Sequence, residues 1–408
     1  MPSIPRRDFL RLGTLAAGGA FLTTRLAFAG AGNRQGRLVL VILRGALDGL
    51  AAVPPYGDPD YANLRREVAL QAPGAAGGAL PLDGFFGLHP ALSFLGQSYA
   101  ARELIVFHAA ASPYRERSHF DGQDVLENGS LQPHALQSGW LNRALAQLPG
   151  ARPHEAGVAL GQNVPLVMRG PAEVTSWSPS KLAALDEDTL ARLTELYATD
   201  RLLSVRLADA TAADALVASD GDLQMQGAAG VPAAAYAARY AQLVKAAAGF
   251  LRQQDGPRVA VFDTTGWDTH ANEGGAQGQL AGRLKALDAG LAQLKDALGP
   301  AWSDTAVLLV TEFGRTAAVN GTRGTDHGTG AAALLVGGAV AGGRVVADWP
   351  GLSQRALYQG RDLNATLDLR AVFKGVLGEH LGVAQRALEE QVFPDSAAAK
   401  ALRGLTRA

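Results

Sequence analysis

The chain has 408 residues, of which 48% are hydrophobic and 18% are charged, and its formal net charge is −1. This length and composition are those of a globular protein with a large core, and they exclude an intrinsically disordered chain. The near-neutral net charge gives no electrostatic indication of nucleic-acid binding, and no charge run indicates a polyanionic partner or an anionic membrane surface. Because the chain contains no cysteine, iron–sulfur clusters and cysteine-ligated zinc are excluded. Any metal must therefore be held by oxygen and imidazole ligands.

The first 29 residues are predicted to be an export signal. Residues 6–10 (RRDFL) resemble the twin-arginine signal, and residues 27–29 (AFA) offer small side chains at a cleavage site. The alternative is a retained membrane anchor, but Arg25 interrupts the apolar run at a length too short to span a bilayer. We therefore expect export by the twin-arginine translocation machinery to the periplasm or beyond, with no stable membrane anchor.

The first predicted strand is the apolar run of residues 37–43 (RLVLVIL), which is typical of a buried strand in a parallel sheet. A glycine-bracketed segment containing Asp48 follows it. Ligands of open α/β sheets bind beyond the carboxyl ends of the strands, so Asp48 is a candidate metal ligand. The residues alone favour equally a second interpretation, in which Asp48 caps the next helix or turn.

A second strand is predicted at residues 104–107 (LIVF), followed by a loop and then by a helix that begins near Ser118. Simple N-capping explains a serine at this position. A hydroxyl at a helix N-terminus also meets free N–H groups and the positive end of the helix dipole. Ser118 is therefore a candidate nucleophile as well, with His119 as a catalytic neighbour. Arg115 is a candidate for binding the oxygens of a phosphate or sulfate.

Residues 186–252 show the alanine- and leucine-rich periodicity of long helices. We interpret this region as a helical insertion within one α/β domain that spans residues 30–408. The insertion is expected to shape the substrate site, although none of its residues indicates a particular ligand.

A β-α-β unit is predicted over residues 259–310, with an amphipathic helix at 280–298 between two apolar strands. This connection places the polar residues that follow each strand at the same edge of the sheet. These residues are Asp268 and His270 after the first strand, and Glu312, Arg315, Asp326 and His327 after the second. Carboxylates and imidazoles from separate segments are typical of a site for Zn, Mn, Mg or Ca. The alternative is a polar loop with capped turns.

Several fragments together resemble those of an exported bacterial family called domain of unknown function 1501. They are LRGALDGL, RSHFDGQDVLENG, GWLNR, GWDTH, TEFGRT, GTDHGTG and RDLNATLDLRAVF, spread over nearly the whole mature chain. The resemblance implies the alkaline-phosphatase/sulfatase superfamily. It therefore implies a three-layer α/β sandwich with a mostly parallel central sheet and one or two divalent ions at the strand ends.

The resemblance also implies a role for each candidate residue. Ser118 would be the nucleophile of a hydrolase acting on a small anionic phosphate or sulfate ester, and Arg115 or Arg315 would bind the developing oxyanion. The implied metal ligands are Asp48, Asp268, His270, Glu312, Asp326 and His327.

The chain departs from the superfamily pattern at two places. Asp268 and His270 are two residues apart where the superfamily spaces the pair by four, and Glu312-Phe313 stands where it has Asp-His. The alternative function is therefore an exported binding or assembly protein that keeps the fold without turnover.

Overall fold

The structure, a computed structural model, describes residues 36–149, 156–179, 187–200, 203–205, 207–208, 211 and 233–407. The predicted export signal and parts of the predicted helical insertion lie outside these residues. None of the described helices combines the length and the apolar character that crossing a bilayer requires.

The predicted apolar runs form a nine-stranded sheet in the order β10-β4-β9-β8-β1-β7-β5-β6, with β11 beside β4. Strand β9 is antiparallel to β4 and β8, whereas all other neighbours in this sheet are parallel. The strands are β1 (Arg37–Arg44), β4 (Leu104–Ala111), β5 (Gly157–Leu160), β6 (Thr175–Trp177), β7 (Val259–Thr265), β8 (Thr305–Val310), β9 (Ala331–Val336), β10 (Arg344–Val346) and β11 (Leu367–Asp368), and a separate hairpin consists of β2 (Leu80–Pro81) and β3 (Gly87–Leu88).

The described α-helices lie between and after these strands along the chain. They are α1 (Gly49–Ala52), α2 (Tyr61–Arg65), α3 (Ser93–Ala100), α4 (His119–Asn128), α5 (Trp140–Leu145), α6 (Glu187–Tyr197), α7 (Ala233–Leu251), α8 (Gln279–Leu298), α9 (Leu369–Glu379) and α10 (Gln385–Ala387). Short 3₁₀ segments occupy Arg66–Val68, Leu166–Met168 and Gly299–Asp304, and a π-helical turn occupies Leu388–Val392. Helices α6 and α7 lie in the range predicted to be a helical insertion, and their separate role stays a prediction.

Two hydrophobic cores cover the two faces of the sheet. Successive side chains of a strand point to opposite faces, and in β1 the side chains of Val39 and Val41 enter one core while Leu40 and Ile42 enter the other. Helices α3, α7 and α8 contribute to the first core, and α5 and α9 contribute to the second. The predicted three-layer α/β sandwich with a mostly parallel central sheet is therefore confirmed.

Strand β4 is longer than predicted. The apolar pattern predicted an end at Phe107, but the strand continues through a β-bulge at which Ala109 has a φ of 51°. The polar His108 ended the predicted run, yet its ring is buried and its Nε2 donates to the carbonyl of Val53 at 2.9 Å. Burial lowers the pKa of His108 to about 4, so the ring is neutral at pH 7 and compatible with a core position.

The three strands at the centre of the sheet position the polar loops. Strands β7 and β8 run parallel to β1 on either side of it, so their carboxyl ends lie at one edge. The loops that leave this edge carry most of the candidate ligands predicted from the sequence. This confirms the predicted β-α-β unit, in which β1 lies between the two strands.

Candidate metal centre

Glycines allow the loops beyond β1, β7 and β8 to approach one another closely. A Cβ atom at Gly45, which follows β1, would lie 2.8 Å from the backbone nitrogen of Asp268. A Cβ at Gly324 would lie 2.3 Å from the carbonyl carbon of His270. Such distances exclude any larger side chain without a shift of backbone. The close approach brings side chains from distant parts of the sequence together.

Three imidazoles and one carboxylate converge at this edge, and we call them the His/Asp cluster: His119, Asp268, His270 and His327. Asp268 Oδ1 lies 3.0 Å from His270 Nε2 and 3.2 Å from His327 Nε2. The Nε2 atoms of His270 and His327 are 3.0 Å apart. His119, the first residue of α4, places its Nε2 3.5 Å from Asp268 Oδ2. All three rings thus direct Nε2 towards one carboxylate.

The opposite ring nitrogen of each histidine is held by an acceptor oxygen. A neutral imidazole whose Nδ1 faces an acceptor carries its proton there, which leaves the lone pair on Nε2. Metal-ligating histidines are oriented in the same way by a carboxylate or a backbone carbonyl. The acceptors are Glu312 Oε1 for His119 (2.8 Å), Asp326 Oδ1 for His270 (3.2 Å) and the carbonyl of Arg117 for His327 (3.0 Å).

The charges of the cluster stabilise one another. The pKa of His119 is raised to about 9, because the carboxylates of Asp268 and then Glu312 stabilise the imidazolium more than burial disfavours it. Burial alone would raise the pKa of Asp268, but contacts from His119, His327 and Arg315 lower it well below its usual range. Glu312 is fully buried, and hydrogen bonds, first from His119, lower its pKa in spite of that burial. Both carboxylates are therefore ionised at neutral pH.

The donor set fits a divalent metal ion. Nε2 of His119 is buried and, apart from its 3.5 Å contact with Asp268 Oδ2, has no hydrogen-bond partner within the described part of the chain, which is costly for a polar atom. One ligand atom from each of His119, Asp268 and His327 lies within 4.8 Å of the others. His270 Nε2 lies 3.0 Å from the ligand atoms of Asp268 and His327. Imidazole nitrogens with a carboxylate oxygen are ligands that suit zinc and related transition metals.

Asp48 lies in a different group of charges, which we call the Arg65 cluster: Asp48, Arg65 and Glu273. Asp48 Oδ2 accepts from Arg65 Nη2 at 2.5 Å, and Oδ1 accepts from the backbone N–H of Ala51 at 3.0 Å. Asp48 is thus the N-cap of α1, as one of the two sequence interpretations expected. The same Arg65 nitrogen lies 3.3 Å from Glu273 Oε1. Asp48 thus lies at the predicted edge of the sheet, at the carboxyl ends of the parallel strands, but its carboxylate is paired with the guanidinium of Arg65.

The two carboxylates of the Arg65 cluster titrate in opposite directions. Burial and then the nearby charge of Asp48 raise the pKa of Glu273 to about 8. Burial acts on Asp48 in the same sense, but the positive charge of Arg65 outweighs it and lowers the pKa of Asp48. One guanidinium is therefore shared between one ionised carboxylate and one that holds its proton up to mildly alkaline pH.

The predicted nucleophile lies at the N-cap of α4, one residue before His119. The hydroxyl of Ser118 makes no capping hydrogen bond to the helix, while its backbone carbonyl accepts from Gly122 at 2.8 Å. Its backbone N–H donates to the Tyr114 hydroxyl at 3.1 Å. The capping interpretation therefore does not account for the hydroxyl.

The two predicted oxyanion-binding arginines are both engaged with the protein. Arg315 is 1% exposed and donates to Asp268 and to both the carbonyl and the hydroxyl of Thr325. Arg115 donates to the backbone carbonyls of Ser112 and Tyr114. The guanidinium of Arg315 thus orients the carboxylate of Asp268 through a hydrogen bond to Oδ1.

Sequence reasoning named His119 as catalytic but did not name it as a ligand, and it missed several supporting residues. Gln123 donates to Glu312 at 3.1 Å, and its position four residues after His119 on a helix could have indicated a shared face. No spacing rule marks Arg65 or Glu273, because their partners come from other segments.

The fold and this cluster define an α/β protein with a candidate metal centre at the carboxyl ends of its parallel strands. Residues 106–392 match the family described as "Protein of unknown function (DUF1501)". Because this match covers more than half of the chain, the chain belongs to that family, and the resemblance found in the sequence is confirmed. No curated protein matches the chain.

Solved structures with a similar fold are distant from this chain. The C-terminal periplasmic domain of EcEptC from Escherichia coli, a complex with Zn, is 10% identical, with 90% of this chain and 88% of that chain covered and a TM-score of 0.39. The phosphonate monoester hydrolase of Agrobacterium radiobacter is 11% identical (85% and 74% covered, TM-score 0.38). A protein in the alkaline phosphatase superfamily from Vibrio parahaemolyticus is 13% identical (74% and 60% covered, TM-score 0.33).

Proposed function

We propose that the protein is an exported metal-dependent hydrolase of a phosphate or sulfate ester, with one divalent ion held by the His/Asp cluster. The observation that carries this proposal is the convergence of three Nε2 atoms on Asp268 while each Nδ1 is fixed by an acceptor. When bound, a divalent ion supplies Lewis-acid polarisation of an ester oxygen and lowers the pKa of water.

Ser118 is the proposed nucleophile. Its hydroxyl lies at the N-terminus of α4, where free backbone N–H groups and the helix dipole favour an anionic group, and it is not used as a helix cap. His119, a member of the His/Asp cluster, follows it directly. The proposed nucleophile and one residue of the cluster therefore both lie at the N-terminus of α4. Arg315 acts by holding the carboxylate of Asp268 in place.

Export of the folded protein is part of the proposal, and the stretch RRDFL at residues 6–10 supports it. Transport of a folded chain allows the metal to be inserted in the cytoplasm. We expect residues 1–35 to direct a fused reporter to the periplasm, and replacement of both Arg6 and Arg7 by lysine to abolish this.

Metal analysis and ester hydrolysis test the proposal together. We expect about one equivalent of Zn or Mn per mature chain, because the described cluster offers one converging set of donors. Ser118→Ala should abolish hydrolysis of a panel of phosphate and sulfate esters while the metal content is kept. Ser303→Ala, an exposed serine at the opposite end of β8, is the matched control and should keep both. A chain that binds no metal would contradict the proposal.

One observation favours the second candidate function, an exported binding or assembly protein. His270 Nε2 lies 3.0 Å from the ligand atoms of Asp268 and His327, and as a fourth protein donor it would close a tetrahedral zinc site. Closed sites are typically structural, whereas catalytic sites keep an open position. A tightly bound metal with no turnover of any ester, together with loss of folding on metal removal, would support this function. Hydrolysis that depends on Ser118 would exclude it.

A further inference from the structure

A continuous chain of hydrogen bonds connects the Arg65 cluster with the His/Asp cluster. Arg65 Nη2 contacts Glu273 Oε1 at 3.3 Å, and Glu273 Oε2 accepts from the Thr325 hydroxyl at 2.8 Å. The same hydroxyl accepts from Arg315 Nε at 3.2 Å, and Arg315 Nη1 donates to Asp268 Oδ1. Of these five residues, only Asp268 reaches solvent, whereas the others are buried.

Thr325 is the link between the two clusters. A hydroxyl has a single proton, so donation to Glu273 leaves its oxygen lone pairs directed at Arg315. The backbone carbonyl of Thr325 also accepts from Arg315 Nη2. Thr325 therefore binds the guanidinium with two hydrogen bonds, one from Nε to its hydroxyl and one from Nη2 to its carbonyl. Thr269 also donates to Glu273 Oε2, at 3.1 Å, but its hydroxyl is not among the partners of Arg315.

Arg315 in turn determines how Asp268 is presented. The oxygen that receives the Arg315 hydrogen bond is Oδ1, the same atom that lies 3.0 and 3.2 Å from the Nε2 atoms of His270 and His327. If the Thr325 hydroxyl were lost, Arg315 Nε would be left without its acceptor in the interior. With only the Thr325 carbonyl and Asp268 left as partners, we expect the guanidinium to shift, and the Asp268 carboxylate to shift with it.

We propose that Thr325 is a positioning residue for the metal centre, because it orients Arg315 and, through Arg315, the ligand carboxylate of Asp268. The inference rests on the proposed metal centre. It adds that the affinity of this centre for the metal depends on the buried hydrogen-bond network that connects Asp268 with Arg65. Partners outside the ligand set of metal sites typically change affinity by about 10–100-fold when removed.

The test measures Zn²⁺ affinity of the full mature chain by competition with a chromogenic chelator. Thr325→Val keeps the shape of the side chain without the hydroxyl, and we expect Zn²⁺ binding about 10–100-fold weaker than in the wild type. Thr325→Ser restores the hydroxyl and should restore affinity. Thr305→Val, which removes a buried hydroxyl that donates to the carbonyl of Ala301 at the opposite end of β8, is the matched control and should bind as the wild type does.

The outcomes separate this inference from the proposed function. Failure of the wild type to bind Zn²⁺ would contradict the metal centre itself. Wild-type binding with unchanged affinity in Thr325→Val would overturn only the role of Thr325. Equal losses in Thr325→Val and Thr305→Val would also overturn it, because the effect would then come from the loss of any buried hydroxyl and not from the position of Arg315.

A second variant covers the case in which Thr325→Val does not fold. Arg315→Lys keeps the positive charge but loses the planar fork that joins Thr325 to Asp268. Weaker Zn²⁺ binding in this variant, with circular dichroism like that of the wild type, supports the inference. Wild-type affinity in Arg315→Lys overturns it.

Discussion

The His/Asp cluster and the Arg65 cluster lie at the ends of neighbouring strands and both contain carboxylates, but they differ in the groups that face these carboxylates. In the His/Asp cluster the side chains are 25–45% exposed, and the partners are imidazoles, which offer a nitrogen lone pair once they are deprotonated. In the Arg65 cluster every side chain is at most 1% exposed, and the partner is a guanidinium, which has no lone pair to offer and stays charged. The first cluster therefore has the donors of the proposed metal site, whereas in the second the Asp48 carboxylate is paired with Arg65. A carboxylate at a strand end is therefore available as a metal ligand only when its neighbours leave it free to bind. Asp268 faces imidazoles, whereas Asp48 is paired with a buried guanidinium.

The largest effect on stability is expected from Arg65→Met. This change leaves the buried, ionised carboxylate of Asp48 without its counter-ion, and breaking a buried pair in this way costs about 3–5 kcal/mol of unfolding free energy. Urea unfolding measures it. The adjacent and exposed Arg66 supplies the control, since Arg66→Met should leave stability almost unchanged. Equal stability of Arg65→Met and Arg66→Met would show that the ion pair in the Arg65 cluster does not contribute to stability.

The largest effect on metal binding is expected from Asp268→Asn. Loss of a direct ligand should weaken Zn²⁺ binding by more than the ~10–100-fold typical of outer partners, as measured by calorimetry. Asp48→Asn is the contrasting variant, because its carboxylate faces Arg65, and folded Asp48→Asn protein should keep the metal. Loss of the metal in both variants would show that the two clusters form one metal site.

The pH dependence of the unfolding free energy should reveal the raised pKa of Glu273. Its pKa in the folded chain is raised to about 8 from an ordinary 4.5, so its contribution is fully present below pH 4.5 and is lost as the pH rises through 8. This single group contributes a decline of up to about 1.4 kcal/mol per pH unit over that window. Glu273→Gln should remove this part of the slope, measured by urea unfolding between pH 5 and 8. The exposed Glu389 is the control, because Glu389→Gln should retain the wild-type slope.

The smallest effect is expected from a surface ion pair. Arg386 and Glu390 are 85% and 55% exposed and lie 2.9 Å apart, four residues along the chain. Exposed pairs of this kind contribute about 0.3–0.5 kcal/mol, so Arg386→Ala should change the unfolding free energy little, and the difference should vanish in high salt. A loss comparable with that of Arg65→Met would mean that burial does not explain the strength of the Arg65 cluster.

The elements of the fold could be predicted from the sequence wherever their signal is local. The apolar runs of β1 and β8 and the leucine periodicity of α8 each lie within one short segment, and the structure has all three within one or two residues of the predicted bounds. The extension of β4 could not be predicted, because a bulge and a buried neutral histidine depend on what packs around them.

For the site, the sequence by itself determined that Asp268, His270, Glu312 and His327 follow parallel strands and so share one edge of the sheet. Only the tertiary structure decided their partners. Asp48 is paired with Arg65 and Glu312 with His119, and the two partners in each pair belong to different segments of the chain. The physical reason is that hydrophobic periodicity is a property of one short segment of the chain. The counter-ion of a buried charge, in contrast, depends on contacts between distant segments that form only on folding.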